Sequence, residues 1–128
     1  MTNNEIYKAV LHILAESEET AKNAGYDERF LYTLALFCGE AEETDDKYRL
    51  AKGLPNAEYR MRVMADPDED FPLCDVFISS AAYYCSALLI ADVNSALSDK
   101  LFEKYTERMS FIFDSLPSEL ENIKNVYY

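Results

Sequence analysis

Glycine, proline and histidine are scarce in this chain of 128 residues, and tryptophan is absent. There are three glycines, four prolines and one histidine. So few turn-forming residues favour long helices over many short strands. A single histidine also limits metal chemistry, because a structural zinc site takes four protein ligands and a catalytic one takes three. We therefore expect a mainly α-helical protein.

Long apolar runs are missing as well. The longest uncharged stretch around the middle of the chain, Val76 to Ala91, has 16 residues and includes three serines. A membrane helix needs about 20 predominantly apolar residues, so we expect no membrane association. The N-terminal residues MTNNEIYK lack the basic and apolar regions of a signal peptide. The sequence predicts a cytoplasmic protein.

Positive charge is sparse and unevenly distributed. Lys and Arg number 12 against 24 Asp and Glu, which gives a net charge of −12. This balance argues against direct binding of nucleic acid, whose phosphates attract cations, and against an anionic membrane surface. Residues 47–64 nevertheless have a net charge of +4, between residues 1–46 at −8 and residues 65–75 at −5. We refer to residues 47–62 as the basic island.

The first helix is predicted to begin at Thr2 and to end at Gly25. Thr2 and Glu5 fit a capping box, in which each side chain accepts a backbone hydrogen bond from the other residue. Gly25 is suited to a left-handed C-terminal cap. Apolar residues recur at helical spacing between these ends: Ile6, Val10, Ile13, Leu14 and Ala21.

A second helix is predicted to begin at Asp27, which can act as an N-terminal cap. Its apolar face consists of Phe30, Leu34, Phe37 and Ala41. The acidic run EAEETDD predicts its end, because carboxylates near a helix C-terminus oppose the helix dipole. The stretch TDDKYRLAKG then predicts a short separate helix, capped by Thr44 or Asp45, that ends at Gly53.

Residues 58–64, EYRMRVM, are ambiguous. Tyr59, Met61 and Val63 alternate with charged side chains, a period of two that favours an extended segment. Asn56 as a cap would instead allow a short helix. An isolated strand would need a partner from this chain or from another one.

The uncharged stretch predicts a helix that is apolar on nearly every side, with Asp75 as its cap and a narrow polar strip through Ser79 and Ser86. Such a helix is normally buried in the middle of a domain or an assembly.

An amphipathic helix is predicted from Ser98 to Leu116, with its apolar residues in one stripe or seam, and Pro117 ends it. Ser118 and Glu121 predict a short terminal helix. Together these segments predict a four- or five-helix, bundle-like single domain over residues 1–128. The seam of the Ser98 helix has steps of three and four residues: Phe102, Tyr105, Met109, Ile112 and Leu116.

Chemically active residues form no recognisable motif. Cys38, Cys74 and Cys85 have no metal or redox spacing, so we interpret them as reduced and mostly buried thiols. His12 and Glu16 share a helix face but lack further ligands. The acidic loop around Asp68 lacks the central glycine and the final glutamate of a calcium loop. We expect no catalytic residues, no metal and no cofactor.

Tyrosine and arginine are enriched at protein interfaces. Ten tyrosines are present, and two of them are adjacent in the uncharged stretch. Together with the basic island, they predict a set of partner-binding residues: Lys47, Arg49, Lys52, Tyr59, Arg60, Arg62, Tyr83 and Tyr84.

From Phe71 to Tyr105 the chain resembles small neck or head–tail connector-like proteins of tailed phages and prophages. The resemblance rests on FPLCDVF, AAYYCSALLIAD and ALSDKLFEKY. It implies a mainly helical, non-enzymatic subunit that forms a homo-oligomer and contacts portal or tail proteins, in a virion if a phage encodes it. An alternative hypothesis from the charge is a small acidic regulatory protein that binds a basic partner, with its carboxylates in place of nucleic-acid phosphates.

Overall fold

The computed structural model describes residues 1–56 and 67–116, and this part of the chain is mainly helical without a β-strand. One isolated bridge joins Thr2 and Asp70. This architecture confirms the predicted mainly α, bundle-like fold. The predicted extended segment 58–64 and the predicted terminal helix from Ser118 lie outside the described residues. The helices are α1 (Asn3–Leu14), α2 (Glu18–Asn23), α3 (Tyr26–Lys52), α4 (Ile78–Ile90) and α5 (Ser95–Asp114), with a 3-10 turn at Asp75–Phe77.

Helix α4 lies at the centre and packs against α1, α3 and α5. Its small and apolar residues allow contacts on several sides, as predicted for the uncharged stretch. The expected polar strip, however, is not a solvent-exposed face. Ser86 is fully buried, and its hydroxyl donates to the carbonyl oxygen of Ala82 at 2.7 Å. No described helix, α4 included, is long and apolar enough to span a bilayer.

The predicted first helix is in fact two helices. The Thr2–Glu5 capping box is present as predicted, but α1 ends at Leu14 because Ala15 adopts a left-handed conformation with φ of 55°. Ser17 then caps α2, with its hydroxyl oxygen accepting from the Thr20 amide at 3.1 Å. Gly25 does have the expected left-handed conformation, but it follows α2 rather than α1.

Helix α3 runs through the acidic segment where the sequence predicted a boundary. It continues for 27 residues and ends at Gly53, whose φ is 67°. The acidic run therefore lies in the middle of a helix, where the terminal dipole has little effect. The predicted cap Asp27 lies inside the first turn, and the predicted cap Asp45 is an interior, fully buried residue.

Helix α5 begins earlier than predicted, because Asn94 caps it by accepting from the Leu97 amide at 3.0 Å. Of the predicted seam, Ile112 and Leu116 are buried, whereas Phe102 remains 38% exposed. Leu101, which is not part of the predicted seam, is buried instead. One side of α5 thus packs against α4, and Phe102, at the edge of that side, is partly exposed to solvent.

Candidate interaction surface

Two tyrosines connect α5 to the rest of the bundle. The rings of Tyr84 and Tyr105 lie 5.1 Å apart, and Phe37 of α3 lies 5.7 Å from Tyr84. The Tyr105 hydroxyl donates to Glu40 Oε2 at 3.3 Å. Burial, followed by the negative charge of Glu40, raises the pKa of both tyrosines to about 12. Both phenols therefore stay protonated at neutral pH and serve as packing and hydrogen-bonding groups.

Three phenylalanines on α5 are exposed. Phe102, Phe111 and Phe113 have 38%, 68% and 43% of their surface accessible to solvent. Full burial of such a side chain is worth about 1.5–3 kcal/mol. At about 100° per residue, Phe102 and Phe113 share one side of α5 and Phe111 lies on the opposite side, so exposed apolar groups, which are typical of protein interaction sites, occur on two sides of this helix. These three rings on one helix therefore identify α5 as the candidate interaction surface.

An acidic depression lies on the outer side of α5. It has a volume of about 510 Å³ and is lined by Asp99, Phe102, Glu103, Thr106 and Glu107. Its three carboxylates follow one another at intervals of four residues, which places them in one row along the helix. Phe102 is held in place by ring contacts with Tyr84 at 5.8 Å and Tyr105 at 5.6 Å. The depression thus combines a fixed aromatic ring with three negative charges.

A row of cations lies next to the acidic depression, and we call it the basic flank: Lys100, Lys104 and Arg108, with the ring of Phe111. All four side chains are exposed. Lys104 Nζ lies 6.0 Å from the ring centre of Tyr83, and the Arg108 guanidinium carbon lies 5.6 Å from that of Phe111. These distances are in the range of cation–π contacts. Each cation of this row follows one of the acids by a single residue, so the two rows run side by side.

Three of the predicted partner-binding residues are at least partly exposed and take part in cation–π contacts. Lys47 Nζ is 5.3 Å from the ring centre of Phe113, and it also pairs with Glu43 at 3.7 Å. Lys52 Nζ is 5.9 Å from the ring centre of Tyr48. Tyr83 is half-buried beside the basic flank. Lys47 and Tyr83 therefore adjoin α5, and Lys52 lies at the end of α3.

Two other predicted residues, Arg49 and Tyr84, are engaged inside the chain. Arg49 donates to Asp45 Oδ2 at 2.8 Å and to the carbonyl oxygens of Pro55 at 3.0 Å and Pro72 at 3.1 Å. Tyr84 is only 5% exposed. Contacts within this chain are therefore sufficient to explain the positions of both side chains. The remaining three, Tyr59, Arg60 and Arg62, lie outside the described residues, so a role for that part of the basic island stays a prediction.

The cysteines have environments that suppress reactivity. Burial raises the pKa of Cys38 and Cys85 to about 12, and burial together with the nearby Asp45 carboxylate raises that of Cys74 to about 11. Since the thiolate is the nucleophilic form, all three are weak nucleophiles at neutral pH. Within residues 1–56 and 67–116, no group of three or more His, Cys, Asp or Glu side chains is arranged to hold a metal ion.

A second depression, of about 340 Å³, lies where α1, α2 and the start of α3 meet. Two lysines and two acids line it, so it has no excess of either charge. Burial and the carboxylates of Asp27 and Glu18 raise the pKa of its tyrosine, Tyr7. This balanced composition indicates no preferred ligand. Its lining residues are Asn4, Tyr7, Lys8, Glu18, Lys22 and Asp27.

Comparison of the chain with protein-family models, with curated proteins and with solved structures finds no match. The surface of α5 is therefore the main basis for inferring a function.

The sequence interpretation missed the surface of α5, although a signal was present. In the segment DKLFEKYTER, an acid followed by a base recurs every four residues. A four-residue repeat places like charges in one row on a helix. The exposure of Phe111 and Phe113 was not predictable in the same way, because apolar residues in an amphipathic helix are normally assigned to its buried side.

Proposed function

We propose that this protein is a non-enzymatic structural protein that acts by binding other protein chains through α5. The observation that supports this function is the exposure of Phe102, Phe111 and Phe113 on one helix, beside an acidic depression and a basic flank. Aromatic groups next to polar ones are typical of protein interfaces. The raised pKa values of the thiols favour a role in packing over one in nucleophilic chemistry.

The resemblance to head–tail connector-like proteins suggests a specific form of this function. The residues that carry it, 71–105, include α4 and the first half of α5. In that form, the chain assembles with copies of itself and contacts portal or tail proteins. The aromatic residues of α5 are the natural contacts for such an assembly, since its other side already packs against α4.

Analytical ultracentrifugation of the full chain over a range of micromolar concentrations tests this proposal. We expect the average mass to rise with concentration, and we expect Phe111→Ser to weaken the association. Leu50→Ser is a matched control, because Leu50 on α3 is 69% exposed against 68% for Phe111. A chain that stays monomeric throughout, and that binds no portal or tail protein, would overturn the connector-like form.

A second candidate function, an acidic protein that binds a basic partner, is favoured by the charge of the described surface. Two cations of the basic island, Lys47 and Lys52, lie over rings of this chain, and Arg49 is bound internally. The three carboxylates of the acidic depression make no ion pair among the described residues. A cationic partner would complement that depression.

Calorimetric titration with a lysine-rich amphipathic peptide distinguishes this second candidate. Saturable 1:1 binding that weakens with salt and is lost in Glu103→Lys would support it. A scrambled peptide of the same composition is the control for charge alone. Equal binding of both peptides, or no binding of either, would exclude it.

A further inference from the structure

We propose that the basic flank of one copy of this chain docks into the acidic depression of another copy. This inference rests on the proposed function and names the surfaces that carry it. The occupant is a second copy because one helix presents both halves of a complementary pair: three exposed carboxylates with Phe102, and three exposed cations with Phe111.

The two rows match in length and spacing. Asp99, Glu103 and Glu107 follow one another at steps of four residues, and Lys100, Lys104 and Arg108 do the same. With a rise of about 1.5 Å per residue, each row is about 12 Å long. Two copies of α5 packed side by side can therefore set every cation of one row against a carboxylate of the other.

The rows are neighbours on α5, with their members between about 60° and 100° apart around the helix axis. Adjacent residues of an α-helix differ by about 100° around its axis, since there are 3.6 residues per turn. The acids line the depression on the outer side of α5, while Lys104 lies toward Tyr83 of α4 at 6.0 Å and Arg108 lies over Phe111. In the proposed pairing, each copy uses one row toward one neighbour and the other row toward the next.

Apolar burial adds to the charge match. Phe111 is 68% exposed and lies on the basic flank beneath the Arg108 guanidinium. The acidic depression has a volume of about 510 Å³ and an aromatic wall formed by Phe102. Ring and cation can thus enter the depression together, and burial of an aromatic side chain stabilises an interface more than exposed ion pairs alone do.

Among the described residues these charges form no ion pair, although Lys104 and Arg108 lie over the rings of Tyr83 and Phe111. Lys100 and Glu103, or Lys104 and Glu107, are three residues apart and could pair on the helix surface. The two ion pairs found among the described residues, Lys47–Glu43 and Arg49–Asp45, both lie on α3 instead. In the part of the chain that the structure describes, the six side chains of the two rows therefore have no ionic partner.

The geometry determines the kind of assembly. The depression and the flank are different surfaces, so each copy uses one of them toward each neighbour. Such a head-to-tail contact produces a closed ring or an open chain rather than a symmetric dimer.

Charge-swapped variants test this pairing by analytical ultracentrifugation of the full chain. One variant carries Glu103→Lys and Glu107→Lys, the other Lys104→Glu and Arg108→Glu. Each should associate at least about tenfold more weakly than the unmodified chain, because like charges then face each other. An equal mixture of the two should recover association, since every contact between unlike variants again joins opposite charges.

Glu19→Lys with Glu28→Lys is the control for the first variant and Lys22→Glu with Arg29→Glu is the control for the second, because each makes the same change in net charge at exposed sites on α2 and α3. Each control should leave association within about twofold, and circular dichroism checks that all variants remain helical. If the unmodified chain associates but the swapped variants behave like it, or their mixture shows no recovery, the pairing is wrong and the proposed function stands. If the unmodified chain is monomeric throughout, the pairing and the self-assembling form of the function are both wrong.

Discussion

A buried carboxylate connects α3 to the segment that leads into α4. Asp45 is fully buried, and its two oxygens accept from Arg49 Nε at 2.8 Å and from the Cys74 amide at 3.1 Å. Arg49 extends the network to the carbonyl oxygen of Pro72. The sequence placed Asp45 only in an acidic run or at a cap, because its partner amide lies 29 residues further along the chain. Local patterns do not contain such a contact.

Asp45→Ala is expected to lower the free energy of unfolding by about 3 kcal/mol, since it leaves a largely buried guanidinium and a backbone amide without their acceptor. Urea denaturation measures this change. Glu43→Ala, on the same helix, removes an exposed carboxylate 3.7 Å from Lys47 and should change the free energy of unfolding by no more than about 0.5 kcal/mol. Similar losses in the two variants would contradict a structural role for the buried network.

Among the residues predicted to bind partners, the distinction between surface and core depended on tertiary packing. Adjacent Tyr83 and Tyr84 look alike in sequence, yet Tyr84 is buried against Phe37 and Tyr105 while Tyr83 lies beside Lys104. Successive residues of a helix point in directions about 100° apart, so only the packing of α4 decides which ring is covered.

At the level of the elements, the interior faces were predictable and several ends were not. The apolar positions of α3 are buried as expected, because helical spacing places them on one side. The break at Ala15 carries no glycine or proline signal. An alanine in the left-handed region is unfavourable by about 1–2 kcal/mol, which the surrounding structure must offset.

Ala15→Gly is expected to raise the free energy of unfolding by about 0.5–1 kcal/mol, because glycine adopts a φ of 55° without steric cost. Thermal and urea denaturation report the effect. Ala24→Gly is the matched control, since Ala24 also caps a helix but has a φ of −83°. It should lower stability slightly. A destabilised Ala15→Gly variant would argue against the left-handed turn between α1 and α2.

For the whole molecule, composition predicted the fold class correctly, because few glycines and prolines leave long helices as the means of burying apolar residues. The surface was less predictable. Net charge describes the chain as strongly acidic, whereas α5 carries an acidic and a basic row side by side. A sum over the chain cannot reveal that arrangement.

Stability is expected to fall at alkaline pH. Burial raises the pKa of Cys38 and Cys85 from 9.0, and of Tyr84 and Tyr105 from 10.0, in each case to about 12. These groups hold their protons more tightly in the folded chain than in the unfolded one. Their stabilising contribution is therefore complete below about pH 9 and is lost as the pH rises toward 12.

Urea denaturation at a series of pH values from 7 upward checks this expectation. Tyr105→Phe removes one of the raised groups and should make the decline with pH less steep. Glu16→Gln changes none of the groups whose pKa is raised and should leave the slope unchanged. A free energy of unfolding that stays constant above pH 9 would contradict the buried state of these tyrosines and thiols.

The central position of α4 has a consequence for the order in which the chain is made. Synthesis proceeds from the N-terminus, so α1 and α3 are complete before any residue of α4 exists. Their apolar sides meet their main partner only when residues 78–90 have left the ribosome. The nascent chain therefore passes through a stage in which most of its core residues have been synthesised but cannot yet be covered, and the α4–α5 pair ends that stage.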